Sequence, residues 1–109
     1  MSLTLPRTLQ RYYDAQNSHD VEAMIACFSP DAVVRDEGHA YTGTDAIRAW
    51  KQKTSAKYRI TATPIESRIE GSSSIVVVRV SGTFDGSPAN LNYRFGFAPD
   101  GRINALEVN

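Results

Sequence analysis

Apolar positions change their period along this chain. Leu5, Leu9, Tyr12 and Gln16 recur at helical spacing and predict a first helix. Thr4 is placed to cap it, and Pro6 sits in its first turn, where a missing N–H costs nothing. Asn17-Ser18-His19 breaks the pattern, and Asp20 is a good N-cap for a second helix with Val21, Met24, Ile25 and Phe28 on its apolar face. Ser29-Pro30-Asp31 ends that helix. The short β-branched run Ala32 to Asp36 reads as a strand, Glu37-Gly38 as a turn, and Ala40-Tyr41-Thr42 as a strand pairing back. A third helix starts near Gly43-Thr44, with Ile47, Trp50 and Thr54 at its spacing, and ends near Ala56.

Beyond that point the period is two. From Tyr58 to Glu70 the alternation slips phase: Ile60 and Ala62 are even, Ile65 and Ile69 odd, and Pro64 lies at the slip. One extra residue there would be a β-bulge, which bends a strand and lets a sheet curl. Gly71-Ser72-Ser73-Ser74 turns into a strand from Ile75 to Phe84, and Asp85-Gly86 is a hairpin signal. Leu91 to Ala98 follows, and Pro99-Asp100-Gly101 leads to a last strand, Ile103 to Val108. The predicted order is ααββα and then a four-strand meander. Helices first and antiparallel strands later argue for α+β, with three helices packed on a curved mixed or antiparallel sheet and a pocket between the layers. The 109 residues make one domain, spanning 1–109.

Charge narrows the function classes. Lys+Arg and Asp+Glu are both 12, so the formal net charge is zero, and no basic run exceeds two residues. That argues against a nucleic-acid partner and makes self-association easier. No apolar stretch is long enough to span a membrane, and Pro6, Arg7 and Gln10 interrupt any leader-like run. No membrane partner and a cytoplasmic location are therefore expected. The lone Cys27, among Met24, Ile25 and Phe28, reads as an inert buried thiol. His19 and His39 share no metal-ligating spacing, and there is no phosphate loop or nucleophile elbow, so neither a metal nor another cofactor is expected.

Three stretches carry a resemblance. Leu9-Gln10-Arg11-Tyr12-Tyr13, Asn17-Ser18-His19-Asp20-Val21 and Phe28 to Asp36 resemble the opening of ketosteroid isomerase and SnoaL-like domains, and Tyr41 to Trp50 continues the likeness into the third helix. It covers nearly the whole chain in element order, and implies the cone-shaped fold of the nuclear transport factor 2-like (NTF2-like) superfamily. That fold hosts isomerases, cyclases, dehydratases, epoxide hydrolases and non-enzymes. In ketosteroid isomerase a helix-one tyrosine binds the substrate oxyanion, and the match is Tyr12. An aspartate ending the first strand moves the proton, and the match is Asp36, at the same interval without a gap. A second, protonated aspartate completes the oxyanion hole. Here Tyr93 stands in that place, either as a neutral second donor or as a larger ring that fills the space. The loop from Asp36 to Gly43 is shorter than in the steroid enzyme, and Lys51 replaces an aromatic of the pocket's hydrogen-bond network. Both argue against steroid isomerisation itself.

The expected catalytic set is thus Asp36, Tyr12 and Tyr93. For Asp36 the rival is a solvated strand end capping the Glu37-Gly38 turn. For Tyr12 it is plain core packing, and since Tyr13 cannot share its face, one of the two is expected at the periphery. Phe28, Trp50, Val78, Val80, Gly82, Phe95, Leu106 and His39 are the expected pocket lining, Gly82 leaving room for a ligand. His39 could also pair with Asp36 as an acid–base dyad. Arg79 and Arg94 fall on the opposite sheet face, which the resemblance makes a homodimer surface. Two function classes follow. One is a cofactor-free enzyme of isomerase or lyase type acting on a small hydrophobic carbonyl compound. The other is a binding or association domain on the same fold.

Overall fold

The computed structural model describes residues 5–109. Thr4, the expected cap, lies outside them. Pro6 occupies the N-cap position of α1 (Arg7–Asn17), which makes no side-chain capping bond. The Asp20 carboxylate accepts from the Ala23 N–H at 3.1 Å and starts α2 (Val21–Ile25). Phe28 is the first residue of β1 (Phe28–Asp36) and not the last of a helical face. Pro30 has no N–H to continue a helix and holds its predecessor extended, so the chain straightens earlier than its apolar spacing suggests. β2 (His39–Thr42) pairs back antiparallel, and α3 (Thr44–Tyr58) runs to a left-handed Arg59.

The remaining strands are β3 (Thr61–Glu70), β4 (Ser73–Ser81), β5 (Ala89–Phe97) and β6 (Ile103–Val108). They form one six-stranded sheet in the order β2-β1-β6-β5-β4-β3. All neighbours are antiparallel except β1 and β6, the second and third strands of that order, which run parallel. The β3–β4 register shifts between Pro64 and Glu66, so Ile65 is the extra residue that the phase slip implied. The helices pack on one face of this sheet, enclosing a core that runs from Leu9 on α1 to Leu106 on β6.

Two expectations need correction. Tyr12 and Tyr13 are both buried, because α1 presents a wide arc to the core from Ala15 round to Tyr13. The β4–β5 link is also no tight hairpin. β4 ends at Ser81, and the next residues turn to the end of α3: the Thr83 N–H donates to the Tyr58 carbonyl at 2.8 Å, and Phe84 packs edge-on against Tyr58.

Candidate active site

Between α1, α3 and the sheet lies a cavity of about 530 Å³. Its polar wall carries Gln16, Asp36, Lys51 and Tyr93, and its apolar wall includes Ile60, Val80, Leu91 and Val108. Asp36 ends β1 beside Val108 of β6, so two central strands fix its backbone. The Trp50 indole N–H of α3 donates to Asp36 Oδ2 at 3.1 Å, and Trp50 itself stacks on Tyr41 of β2 at 5.8 Å. The carboxylate is half-buried. Partial loss of water pushes its pKa up, with the nearby Glu37 adding to the rise, while the Trp50 bond and the Lys51 charge oppose it. A carboxylate in this setting is a stronger base than one in water.

Tyr93 of β5 is buried and lines the same cavity. Burial, and then the Asp36 charge, raise its pKa far above the ordinary value, so it is a neutral donor at all physiological pH. Its hydroxyl has no hydrogen-bond partner among the described residues. Tyr12 sits deeper. Its ring is fully buried between Tyr13, Phe28 and Phe95, and its hydroxyl is sealed and unpartnered; it does not line the cavity.

Asp36, Tyr93, Trp50 and Val80 thus meet in one cavity. Six other expected lining residues do not. Phe28, Val78, Phe95 and Leu106 are buried in the core, where neighbouring rings and strands close over them. Gly82 leaves no room for a ligand, because a Cβ there would collide with the Tyr58 carbonyl oxygen; its bareness serves the approach of α3. His39 is exposed on β2 and borders smaller clefts outside the cavity, and it makes no hydrogen bond to Asp36.

Lys51 was read from sequence only as a replaced aromatic, yet it is the most unusual group in the cavity. It is 4% exposed. Its Nζ donates to Gln16 Oε1 at 2.7 Å and lies 4.7 Å from the Tyr12 ring centre and 4.4 Å from that of Trp50. Burial lowers its pKa to about 7, with the Asp36 charge opposing the fall. One signal could have found it: Lys51 follows Ile47 at i, i+4, so it sits inside the apolar stripe of α3. Among the described residues no cluster of three metal-ligating side chains occurs, and no helix is long and apolar enough to cross a membrane.

The geometry has clear relatives. A protein from Sinorhizobium meliloti, provisionally called a polyketide cyclase, is 40% identical, with a TM-score of 0.92 over 96% of this chain and 95% of its own. A protein from Catenulispora acidiphila with a ketosteroid isomerase-like fold, bound to trimethylamine, gives 0.84 at 18% identity over 97% of this chain and 86% of its own. SalBIII, an epoxide hydrolase/cyclase-like enzyme of pyran ring formation in salinomycin, gives 0.81 at 22% identity over 93% and 85%. These last two likenesses concern the fold. No match was found among curated proteins. The SnoaL-like domain family matches residues 9–105. With nearly the whole chain matched and the cone-shaped NTF2-like architecture in place, the protein is a member of the SnoaL-like domain family.

Proposed function

We propose that this chain is a cofactor-free enzyme that moves a proton on a small hydrophobic carbonyl compound, as in an isomerisation or a cyclisation. The observation that carries this reading is the meeting of Asp36 and Tyr93 in one cavity between the helices and the sheet. Asp36 Oδ2 is held by Trp50, which leaves Oδ1 to take a proton from the carbon next to the substrate carbonyl. The Tyr93 hydroxyl donates to the oxygen on which negative charge develops. The apolar wall excludes water and selects a hydrophobic skeleton. Tyr12 stands behind this pair and shapes the cavity through Lys51, which lies over its ring.

The test is hydrogen–deuterium exchange into a panel of small cyclic and aryl ketones in D2O, followed by NMR. Asp36→Asn should lower exchange by about 10²- to 10⁴-fold with an unchanged circular dichroism spectrum. An Asp36→Asn protein that exchanges at the wild-type rate would sink the role of this carboxylate.

The sealed Tyr12 hydroxyl favours a second reading, a binding domain without catalysis, because only one of the two expected donors reaches the cavity. On either reading we infer that the outer sheet face joins two copies. Val77 of β4 is half-buried there and the bulged Ile65 of β3 beside it is exposed at 47%, on a chain without net charge. Light scattering should give twice the mass of one chain; the mass of one chain would refute the dimer.

A further inference from the structure

Lys51 is the only buried residue among three lysines; Lys53 and Lys57 are exposed. An ammonium taken out of water ordinarily needs a carboxylate against it. Here no carboxylate lies within ion-pair distance of Nζ among the described residues, and its one hydrogen-bond partner is the neutral amide of Gln16. Two aromatic faces wall it in. The rings and Asp36 favour the charged form, but burial works against it more strongly, so a good part of the population is free amine at neutral pH. Asp36, an acid of raised pKa, opens onto the same cavity. A desolvated lysine beside a proton-exchanging group is the arrangement that activates an amine as a nucleophile.

We propose that Lys51 forms an imine with the carbonyl carbon of a small aldehyde or ketone held in the cavity, and that Asp36 exchanges the protons this requires. The proposal rests on the reading of Asp36 as the acid–base group. The nitrogen lone pair makes the C–N bond while the carbonyl oxygen takes up the proton that leaves the nitrogen, giving a carbinolamine. The Asp36 carboxylic acid then protonates the hydroxyl, the C–O bond breaks, and water departs to leave an iminium ion and the Asp36 carboxylate. The iminium carbon is a stronger electron sink than the carbonyl carbon, so the Asp36 carboxylate takes the proton next to it and leaves an enamine. Asp36 returns a proton to the enamine carbon and restores the iminium ion. Water then adds to it, giving its proton back to the Asp36 carboxylate, and the carbinolamine collapses to the carbonyl compound and the Lys51 amine, so no oxidant or cofactor is consumed.

The probe is cyclohexanone with sodium cyanoborohydride, which reduces an imine to a stable secondary amine, read by peptide mass spectrometry on the intact folded chain. Lys51 should be alkylated at least about tenfold faster than exposed Lys53, since far more of it is free amine at neutral pH. Lys51→Arg should lose the label at that position while keeping its circular dichroism spectrum, and Asp36→Asn should still be labelled at Lys51, more slowly. Labelling of Lys51 no faster than Lys53 in the wild-type protein overturns the proposal, whatever the variants do. If exchange into the ketone depends on Asp36 but Lys51 is not trapped, the imine falls and the proton-transfer reading stands. If Lys51 is trapped but Asp36 supports no exchange, the proton-transfer reading falls and the reactive amine stands.

Discussion

Two halves of the interior differ in what they do with aromatic rings. In the closed half Tyr12, Tyr13, Phe28 and Phe95 meet edge to face at 5.2–6.2 Å and leave no space between them. In the open half Trp50, stacked on Tyr41, and Tyr93, at the border of the cluster against Tyr13 and Phe95, turn a polar edge toward the cavity, one binding Asp36 and the other unpartnered. Rings that satisfy one another add stability. Rings at the border hold ionisable groups where water is scarce: Trp50 binds Asp36 and, with Tyr12, walls in Lys51. The contrast teaches that the closed half carries the stability and the open half spends part of it on ionisable groups with depressed solvation.

Substitutions should separate the halves. The largest effect belongs to the closed half: Phe95→Ala should destabilise by about 3–5 kcal/mol in urea unfolding. A loss under 1 kcal/mol would show that this cluster is not the anchor. Next is Lys51. Its folded pKa of about 7 lies below its ordinary 10.5, so the unfolded chain binds more protons between those values and stability must rise with pH across that window, by up to about 1.4 kcal/mol per pH unit. Lys51→Met should flatten this slope and raise stability below pH 7; an unchanged slope would place the titration elsewhere. Asp36 has the opposite sign. Its folded pKa is raised, so the native state holds the proton longer and stability falls as pH rises through that raised value. Asp36→Asn should therefore unfold at higher denaturant than wild type at pH 7 even as proton exchange disappears. A variant less stable than wild type would mean that the Trp50 bond outweighs the burial of charge. The smallest effect is Tyr13→Phe. Its buried hydroxyl has no partner, so removal should be neutral or stabilising within about 1 kcal/mol, measured by thermal melting.

The sequence made the fold legible where period and breakers agree. The Pro64 slip located a bulge to within one residue, and Asp20 located a cap, because each rests on a backbone constraint that acts locally. Residue identity was weaker at telling cavity from core. Val78, Val80, Phe95 and Leu106 all point inward, but which of them face open space depends on how closely α1 and α3 approach, and no single residue encodes that distance. Gly82 misled for the same reason, since a missing side chain marks close approach without saying what approaches. Lys51 was overlooked because a lysine beside an apolar stripe usually reaches out to solvent, whereas Gln16 and two rings hold this one in.

The parallel pairing of β1 with β6 also orders events in time. β6 is the last of the six strands in chain order, yet it lies between β1 and β5. As the chain is synthesised, β1 with β2 and the β3–β4–β5 meander are two separate half-sheets, each with a bare edge that invites pairing with other chains. Neither can close on the other until β6 arrives, so the slow, long-range step comes at the end. Val108, which flanks Asp36, belongs to that strand, and the proton-handling group is therefore set in place only by the final stitch of folding.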